Sequence, residues 1–427
     1  MDNTEKEGII KYKDLLQQGK DLLAKGNKEY EKVEIKENEM YVMLFTSGTT
    51  NEPKAVMLSQ ENICLNVVAY QGNFKINSDD TLLSFLPIHH TFESSITFLY
   101  GTYSGATIAF CEGLKHIADN LKEYKVTIFV AVPLVLETMY KKIQKGIEKS
   151  GKKNLVDTMT KISNTLLKCK IDVRKQLFKP VRKQFDEYLR VVLYGAASMD
   201  KDTIIGYNNL GIELIQGYGL TESSPVISAE ASNKHRPGSV GVPLYNVEVK
   251  IDNPDKDGVG ELLAKGPNIM LGYYENEEAT KKALDKDGWL HTGDFAYIDD
   301  DGFIFITGRQ SDIIVLRNGK NIYPQEIEFL INKLPYVQES MVYSRDKTKT
   351  DTVLCAKIVY DKENIVETFG DKEEYKELIW KDIKEINKEL PTYKHIKEII
   401  VTDEPLEKTT TQKVKRYVEM KKMEKAK

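Results

Sequence analysis

Cysteine is scarce in this 427-residue chain, and Cys64, Cys111, Cys169 and Cys355 lie far apart. There is no Cys-x-x-Cys pair and no histidine at zinc-ligand spacing, which points to free thiols in a reducing cytoplasm. Neither sign of charge dominates: 61 Lys and Arg against 65 Asp and Glu leave a net charge of -4, which argues against a nucleic-acid binder. No apolar run approaches the length that spans a bilayer, and MDNTEKEGIIKYKDLL lacks the apolar core of a signal peptide. A soluble protein is expected, with peripheral membrane contact left open. Internal repeats and low-complexity tracts are also missing. The length exceeds that of one ordinary domain, so two are expected.

From about residue 41 to 230, the β-rich runs YVMLF, TLLSFL, ATIAF, VTIFVAV, RVVLYG and IELIQGYG alternate with helical stretches. That alternation predicts βαβ units and a largely parallel sheet. After residue 235 the alternating segments VEVKI, GELLA and GFIFITG predict antiparallel hairpins, with Asp301-Gly302 as one turn. From about 312, the strands MVYS and TVLCAKIVY and an amphipathic helix around Tyr375 to Leu390 read as a small α+β domain. The boundary is placed near Gly308 to Ser311.

Three segments carry candidate chemistry. In FTSGTTNEPKAV, Thr46, Ser47, Gly48, Thr49 and Thr50 follow a strand and precede Lys54. Such a loop offers backbone N–H groups, hydroxyls and a cation to a polyphosphate, although the Gly-Lys-Ser/Thr ending of a Walker A loop is missing. In IQGYGLTESSP, Gly217 and Gly219 flank Tyr218, with Thr221 and Glu222 after them. These suit close backbone approach, ring stacking, phosphate contact and magnesium; a tight turn with Tyr218 packed in the core is the alternative. In GWLHTGDFAYIDDDGFIFITGR, Asp294 and Arg309 stand at the two ends of a predicted hairpin, where a carboxylate can accept ribose hydroxyls and an arginine can reach ribose or phosphate. An EF-hand on the acidic run would need Tyr297 and Gly308 as its end ligands, which argues against calcium.

Five segments in order, FTSGTTNEPK, IQGYGLTESS, WLHTGD, ITGRQSDIIVLRNGKNIYPQEIE and PLEKTTTQKVKR, resemble the AMP-forming acyl-CoA synthetases of the adenylate-forming superfamily over about residues 40 to 420. LSFLPIHHTFESS and KISNTLLKCKIDVRKQLFKPVRKQF followed by LRVVLYGAASM look most like the long-chain fatty acid–CoA ligases. The resemblance implies an α/β fold with a large N-terminal domain of parallel βαβ sheet plus a distorted antiparallel β region, and a small mobile α+β C-terminal domain. It assigns residues 1–310 to the large AMP-binding domain and 311–427 to the small one. Only 45 residues precede Thr46, so the large domain is expected to lack its usual N-terminal part.

The activity implied is attack of a fatty acyl carboxylate on the α-phosphate of ATP, release of pyrophosphate, and transfer of the acyl group to CoA. By the same resemblance, Thr46 to Thr50 and Lys54 hold phosphates, with Thr50 and Glu222 on Mg²⁺ and Thr221 on the α-phosphate. Tyr218 stacks on adenine between Gly217 and Gly219, Asp294 and Arg309 fix the ribose, and Gly195, Ala196 and Ala197 line the acyl and adenine side. His90 sits near the substrate carboxylate; helix-start packing or, less readily, metal ligation are its other readings. Lys413 matches the family's mobile lysine, Ser311 its hinge, and Gly319 and Lys320 the loop at the pantetheine tunnel. Asn51, Glu407 and Gln412 depart from the family's usual glycine, proline and glycine. A carrier protein or another acceptor in place of CoA, and a truncated non-catalytic nucleotide- or acyl-binding remnant, are the alternatives. Residues 141–190 hold 15 Lys and Arg against 5 Asp and Glu with apolar residues at helical spacing. They read either as a solvated helix face or as a surface for anionic lipid headgroups or CoA phosphates.

Overall fold

The computed structural model describes residues 10–46, 53–185, 187–195, 199–232, 234–316, 321–348, 351–408 and 414–425. It divides into two compact units between Glu39 and Met40. In the first, the helix Tyr12–Ala24 has no buried residue and leaves Tyr12, Leu15, Leu16, Leu22 and Leu23 exposed.

The second unit begins with a correction. Strand β1 (Met40–Thr46), expected in the parallel sheet, instead pairs antiparallel with β2 (Lys54–Ser59), and Thr46 faces Lys54 across the pair. Ser59 then starts the helix Gln60–Ala69 with a reciprocal cap: its hydroxyl accepts from the Asn62 N–H, and the Asn62 side chain accepts from the Ser59 N–H.

The parallel sheet lies beyond. Its strands are β3 (Thr81–Ser84), β4 (Thr107–Phe110), β5 (Ile128–Ala131), β6 (Val191–Tyr194) and β7 (Glu213–Gly219), extended antiparallel by β8 (Val226–Ala229) and β9 (Val242–Pro243). The order is β4-β3-β5-β6-β7-β8-β9. Every residue of β5 and β6 is buried, as a sheet covered on both faces requires. The pleat sorts them by alternation: Val191 and Leu193 join one apolar core with Ile128 and Val130, while Val192 and Tyr194 join a second with Phe129 and Ala131. The second core is covered by the helix Pro133–Lys149, the first of the basic helices foreseen between residues 141 and 190. Those that follow are Lys153–Lys168, Arg174–Leu177 and Lys179–Phe185.

A four-stranded antiparallel sheet follows, formed by β10 (Glu248–Asp252), β11 (Gly260–Lys265), β13 (Leu290–Ile298) and β14 (Ile304–Arg309); the short β12 (Gly272–Tyr273) pairs with β2 instead. The β13–β14 turn falls where the Asp-Gly pair placed it, with Gly302 at a φ of 84° that favours glycine. After the two-residue pair β15 (Ile314–Val315) and β16 (Asn321–Ile322) come β17 (Val337–Thr348), β18 (Asp351–Tyr360) and β19 (Ile396–Thr402), with β18 and β19 parallel. Helices Pro324–Ile331 and Lys376–Glu389 bury Ile327, Ile331, Ile379 and Ile383 in a core made only of residues from 314 onward.

Candidate active site

The candidate residues gather where the parallel strands end, the place at which open α/β sheets form ligand crevices. Gly195 directly follows β6, and Gly217–Gly219 ends β7. Two of these glycines are required by contact. A Cβ on Gly219 would stand 1.9 Å from the Pro225 carbonyl oxygen, and one on Gly195 would stand 2.8 Å from the Gly217 carbonyl oxygen. Both distances are shorter than side-chain carbons tolerate, so the chain after β6 can approach β7, and β7 the Pro225 carbonyl, only where no side chain stands.

Between the glycines, the Tyr218 hydroxyl donates to Asp294 Oδ2 at 2.7 Å, and Arg309 Nε donates to Asp294 Oδ1 at 2.9 Å. Asp294 is buried and both its oxygens are held, while the arginine side chain keeps an exposed portion. The Tyr218 ring also packs against two apolar clusters, so core packing and a polar role coexist. Burial, reinforced by the Asp294 charge, pushes the Tyr218 phenol well above its ordinary range and keeps it a donor. Asp294 meets Arg309 through a bulge: Ala296 faces Ile306, yet Phe295 faces Gly308, so Thr307 is the extra residue and Arg309 arrives opposite Asp294.

Glu222 lies in the 3-10 turn Thr221–Ser223 directly after this segment. Its Oε1 accepts from the Tyr273 hydroxyl at 2.9 Å, and Lys54 Nζ sits over the Tyr273 ring, 4.9 Å from its centroid. The row Lys54–Tyr273–Glu222 thus ties the end of the phosphate-loop candidate to the turn after β7. Thr46 adds a weak contact of 3.5 Å from its hydroxyl to the Lys54 carbonyl. Tyr273 escapes sequence reasoning, because its place depends on the pairing of β12 with β2; the only local signal is a glycine before two tyrosines at the end of the apolar run Ile269-Met270-Leu271. Among the described residues no group of three His, Cys, Asp or Glu could hold a metal ion. A lone half-buried carboxylate with Oε1 held by a phenol suits Mg²⁺, which binds through one or two carboxylates plus phosphates and water.

His90 precedes a π-helix, Glu93–Tyr100, and its carbonyl accepts from the Ser94 N–H at 3.0 Å. Just ahead of that helix, Phe92 has its ring edge 3.6 Å from the position a Gly195 Cβ would take. Phe92 and Ile96 line a small apolar pocket with Phe74, Leu193, Ile215 and Gly217, whose accessible volume of about 10 Å³ is the room of a single water. Gly217 therefore belongs to the pocket wall, and the next residue holds Asp294.

Ser311 and Asp312 follow Arg309 in a short 3-10 turn. Asp312 accepts from the Gln325 amide at 2.8 Å and lies 3.4 Å from Arg416 Nε. Arg416 also donates to both oxygens of buried Glu328, at 2.7 and 2.5 Å, and to the Val342 carbonyl at 3.0 Å. Lys408 bridges to Val414, and the Lys415 N–H donates to the Glu407 carbonyl at 2.7 Å, on either side of the stretch that contains Lys413. Ser47, Gly48, Thr49, Thr50, Ala196, Ala197, Gly319, Lys320 and Lys413 lie outside the described residues, as do Asn51 and Gln412.

Comparison with known proteins bears on the arrangement as a whole. The long-chain-fatty-acid–[acyl-carrier-protein] ligase of Arabidopsis thaliana is 27% identical across 93% of this chain and 62% of its own length. Long-chain-fatty-acid–CoA ligases of Rattus norvegicus and Xenopus laevis are 31% and 33% identical, across 76% and 74% of this chain and 48% and 45% of their own lengths. The chain thus spans about half to three-fifths of the length of these curated relatives. Among solved structures, the O-succinylbenzoate coenzyme A synthetase of Bacillus subtilis in complex with ATP and magnesium ion is similar, with a TM-score of 0.69, 25% identity and coverage of 90% of this chain and 71% of that one. ATP-bound MatB from Rhodopseudomonas palustris gives a TM-score of 0.71 at 24% identity, covering 91% and 69%. The AMP-binding enzyme family matches residues 2–274 and its C-terminal domain matches 311–426; the chain belongs to this family, the adenylate-forming enzymes.

Proposed function

We propose that this protein activates a fatty acid with ATP to give an acyl-adenylate and pyrophosphate, and then passes the acyl group to CoA. The observation that carries this reading is the buried Asp294 carboxylate, bonded to Arg309 and to Tyr218, which stands four positions before the Glu222 that Tyr273 ties to Lys54. A ribose-sized diol acceptor and a cation-and-carboxylate pair for phosphates and magnesium thus meet at one short segment. The match to long-chain fatty-acid ligases supports the same substrate class.

The residues divide the work as follows. Asp294, held by Tyr218 and Arg309, accepts the ribose hydroxyls. The buried location keeps that carboxylate fixed, so little reorganisation accompanies binding. Lys54 and the loop from Thr46 to Thr50 take the phosphates, and Thr221 donates to the α-phosphate. Mg²⁺, when held by Glu222 with Thr50, offsets phosphate charge. His90 and the carboxylate of the acid sit at the pocket mouth, with Gly195, Ala196 and Ala197 beside the adenine. Lys413 neutralises charge at the reacting phosphate, and the carboxylate then displaces pyrophosphate in line. A small domain of residues 311–427 turns at Ser311 and brings Gly319 and Lys320 to the incoming thiol, which attacks the acyl carbonyl and releases AMP.

Fatty-acid-dependent exchange of labelled pyrophosphate into ATP tests the first step. Exchange is expected in the native protein and a loss of at least about 100-fold in Lys413→Ala; absence of exchange with every chain length would sink the reading in favour of a non-catalytic remnant. A carrier-protein acceptor has its own support, since the relative matching 93% of the chain is named as an acyl-carrier-protein ligase. Offering CoA and holo acyl carrier protein side by side separates the two by which thioester accumulates.

A further inference from the structure

The helices between residues 141 and 190 take no part in the site described above, and their charge sets them apart. Their 15 Lys and Arg against 5 Asp and Glu amount to +10, while the whole chain stands at -4, so the remaining residues carry -14. Part of the acidic minority is already neutralised, because Glu148 pairs with Lys153 and Asp172 with Arg174. Lys152, Lys161, Lys168 and Lys170, by contrast, are exposed and form no ion pair among the described residues.

Apolar side chains run beside these lysines. In the helix Lys153–Lys168 only Ser163 is buried. Leu155 and Ile162, seven residues and two turns apart, lie on one line and are 51% and 52% exposed; Ile171, just past the helix, is 52% exposed. Lys161 and Lys168 sit together about 100° around the helix from Ile162, so their ammonium groups border the apolar line on its solvent side, while buried Ser163 lies about 100° to the other side. Single exposed leucines are common on protein surfaces, but an aligned apolar stripe beside unpaired lysines on the most basic segment is the pattern of a helix lying in a membrane interface.

We propose that the helix Lys153–Lys168, with Lys170 and Ile171, is a docking face for an anionic phospholipid bilayer. Leu155, Ile162 and Ile171 enter the headgroup boundary, and Lys152, Lys161, Lys168 and Lys170 lie over phosphates. Each such lysine is expected to raise binding about fivefold at low salt. The negative remainder of the molecule orients the approach by repulsion from the same surface.

Co-sedimentation of the full chain with vesicles tests this without ATP or fatty acid, so its outcome is separate from that of the activity assay. Vesicles of phosphatidylcholine containing phosphatidylglycerol should bind the protein, phosphatidylcholine alone should bind it at least about tenfold less, and binding should fall as salt is raised. The charge reversal Lys161→Glu/Lys168→Glu/Lys170→Glu should abolish binding, and Leu155→Ser/Ile162→Ser should weaken it at least about tenfold. All five side chains are exposed, and unchanged melting curves would establish that the variants fold. The proposal is overturned if both vesicle types bind alike, if either variant binds as the native protein does, or if the charge reversal abolishes binding to RNA while vesicle binding is absent or persists.

Discussion

Glu93 lies at the start of the π-helix, fully buried, and is the acid whose environment yields the sharpest test. Burial raises its carboxyl from an ordinary 4.5 to about 7, against hydrogen bonds from the Ser84 hydroxyl at 2.6 Å, the Thr97 hydroxyl at 3.0 Å and the Phe85 backbone. Between pH 4.5 and 7 the folded protein holds a proton that the unfolded chain has lost, so stability must fall as pH rises through that window. The interval corresponds to about 3 kcal/mol. Glu93→Gln keeps the shape and removes the titration. Urea unfolding at a series of pH values from 4.5 to 8 should show the native protein losing stability and the variant staying nearly flat by comparison, with the variant the more stable of the two at pH 8. Equal slopes for both proteins would refute the reasoning. The result bears on the small apolar pocket beside Gly217, because Phe92 and Ile96 on either side of Glu93 are among its walls.

Three further outcomes are expected. Gly219→Ala must displace the Pro225 carbonyl, 1.9 Å from the new carbon, and should weaken ATP binding at least about tenfold in a fluorescent-nucleotide titration, with the sheet still folded by circular dichroism. Arg416→Met leaves the buried Glu328 carboxylate without its cation and should cost about 3–5 kcal/mol in denaturant unfolding, less at acid pH where Glu328 takes up a proton. His235 is bonded to Glu213 and Glu230, which raise its ring from 6.5 to about 9; its contribution of about 2 kcal/mol is complete below pH 6.5 and lost as pH rises through 9, and calorimetry of His235→Gln should show that alkaline loss removed.

The parallel sheet was legible because strands buried on both faces must be apolar throughout, as Ile128–Ala131 and Val191–Tyr194 are. Met40–Thr46 has the same apolar look but a different partner, and composition carries no information on which strand a run pairs with. The Asp294–Arg309 pair was readable from the Asp301-Gly302 turn to within one residue, since a regular hairpin would set Asp294 opposite Gly308. Only the bulge at Thr307 corrects the register. Long-range groupings were not legible: Tyr273 reaches Glu222 across 51 positions and Arg416 reaches Glu328 across 88, and although Arg416 ends the segment PLEKTTTQKVKR, nothing in that segment names Glu328 as its partner. The aligned apolar line on Lys153–Lys168 is intermediate, for the spacing was visible but its exposure was not.

The Asp312 clamp has a mechanical meaning. Arg309 is pinned to Asp294 on one side, and three positions later Asp312 is gripped by Gln325 and lies against Arg416 on the other. On the proposal that Ser311 is a hinge, a twist there would turn the helices Pro324–Ile331 and Arg416–Lys425 together, as a crank turns its shaft, because Asp312 is tied to Gln325 in one and Arg416 in the other. If Asp294 takes the ribose as proposed, the nucleotide end of that crank is a carboxylate already seated against its arginine, and a bound ribose would bear on the shaft through Arg309.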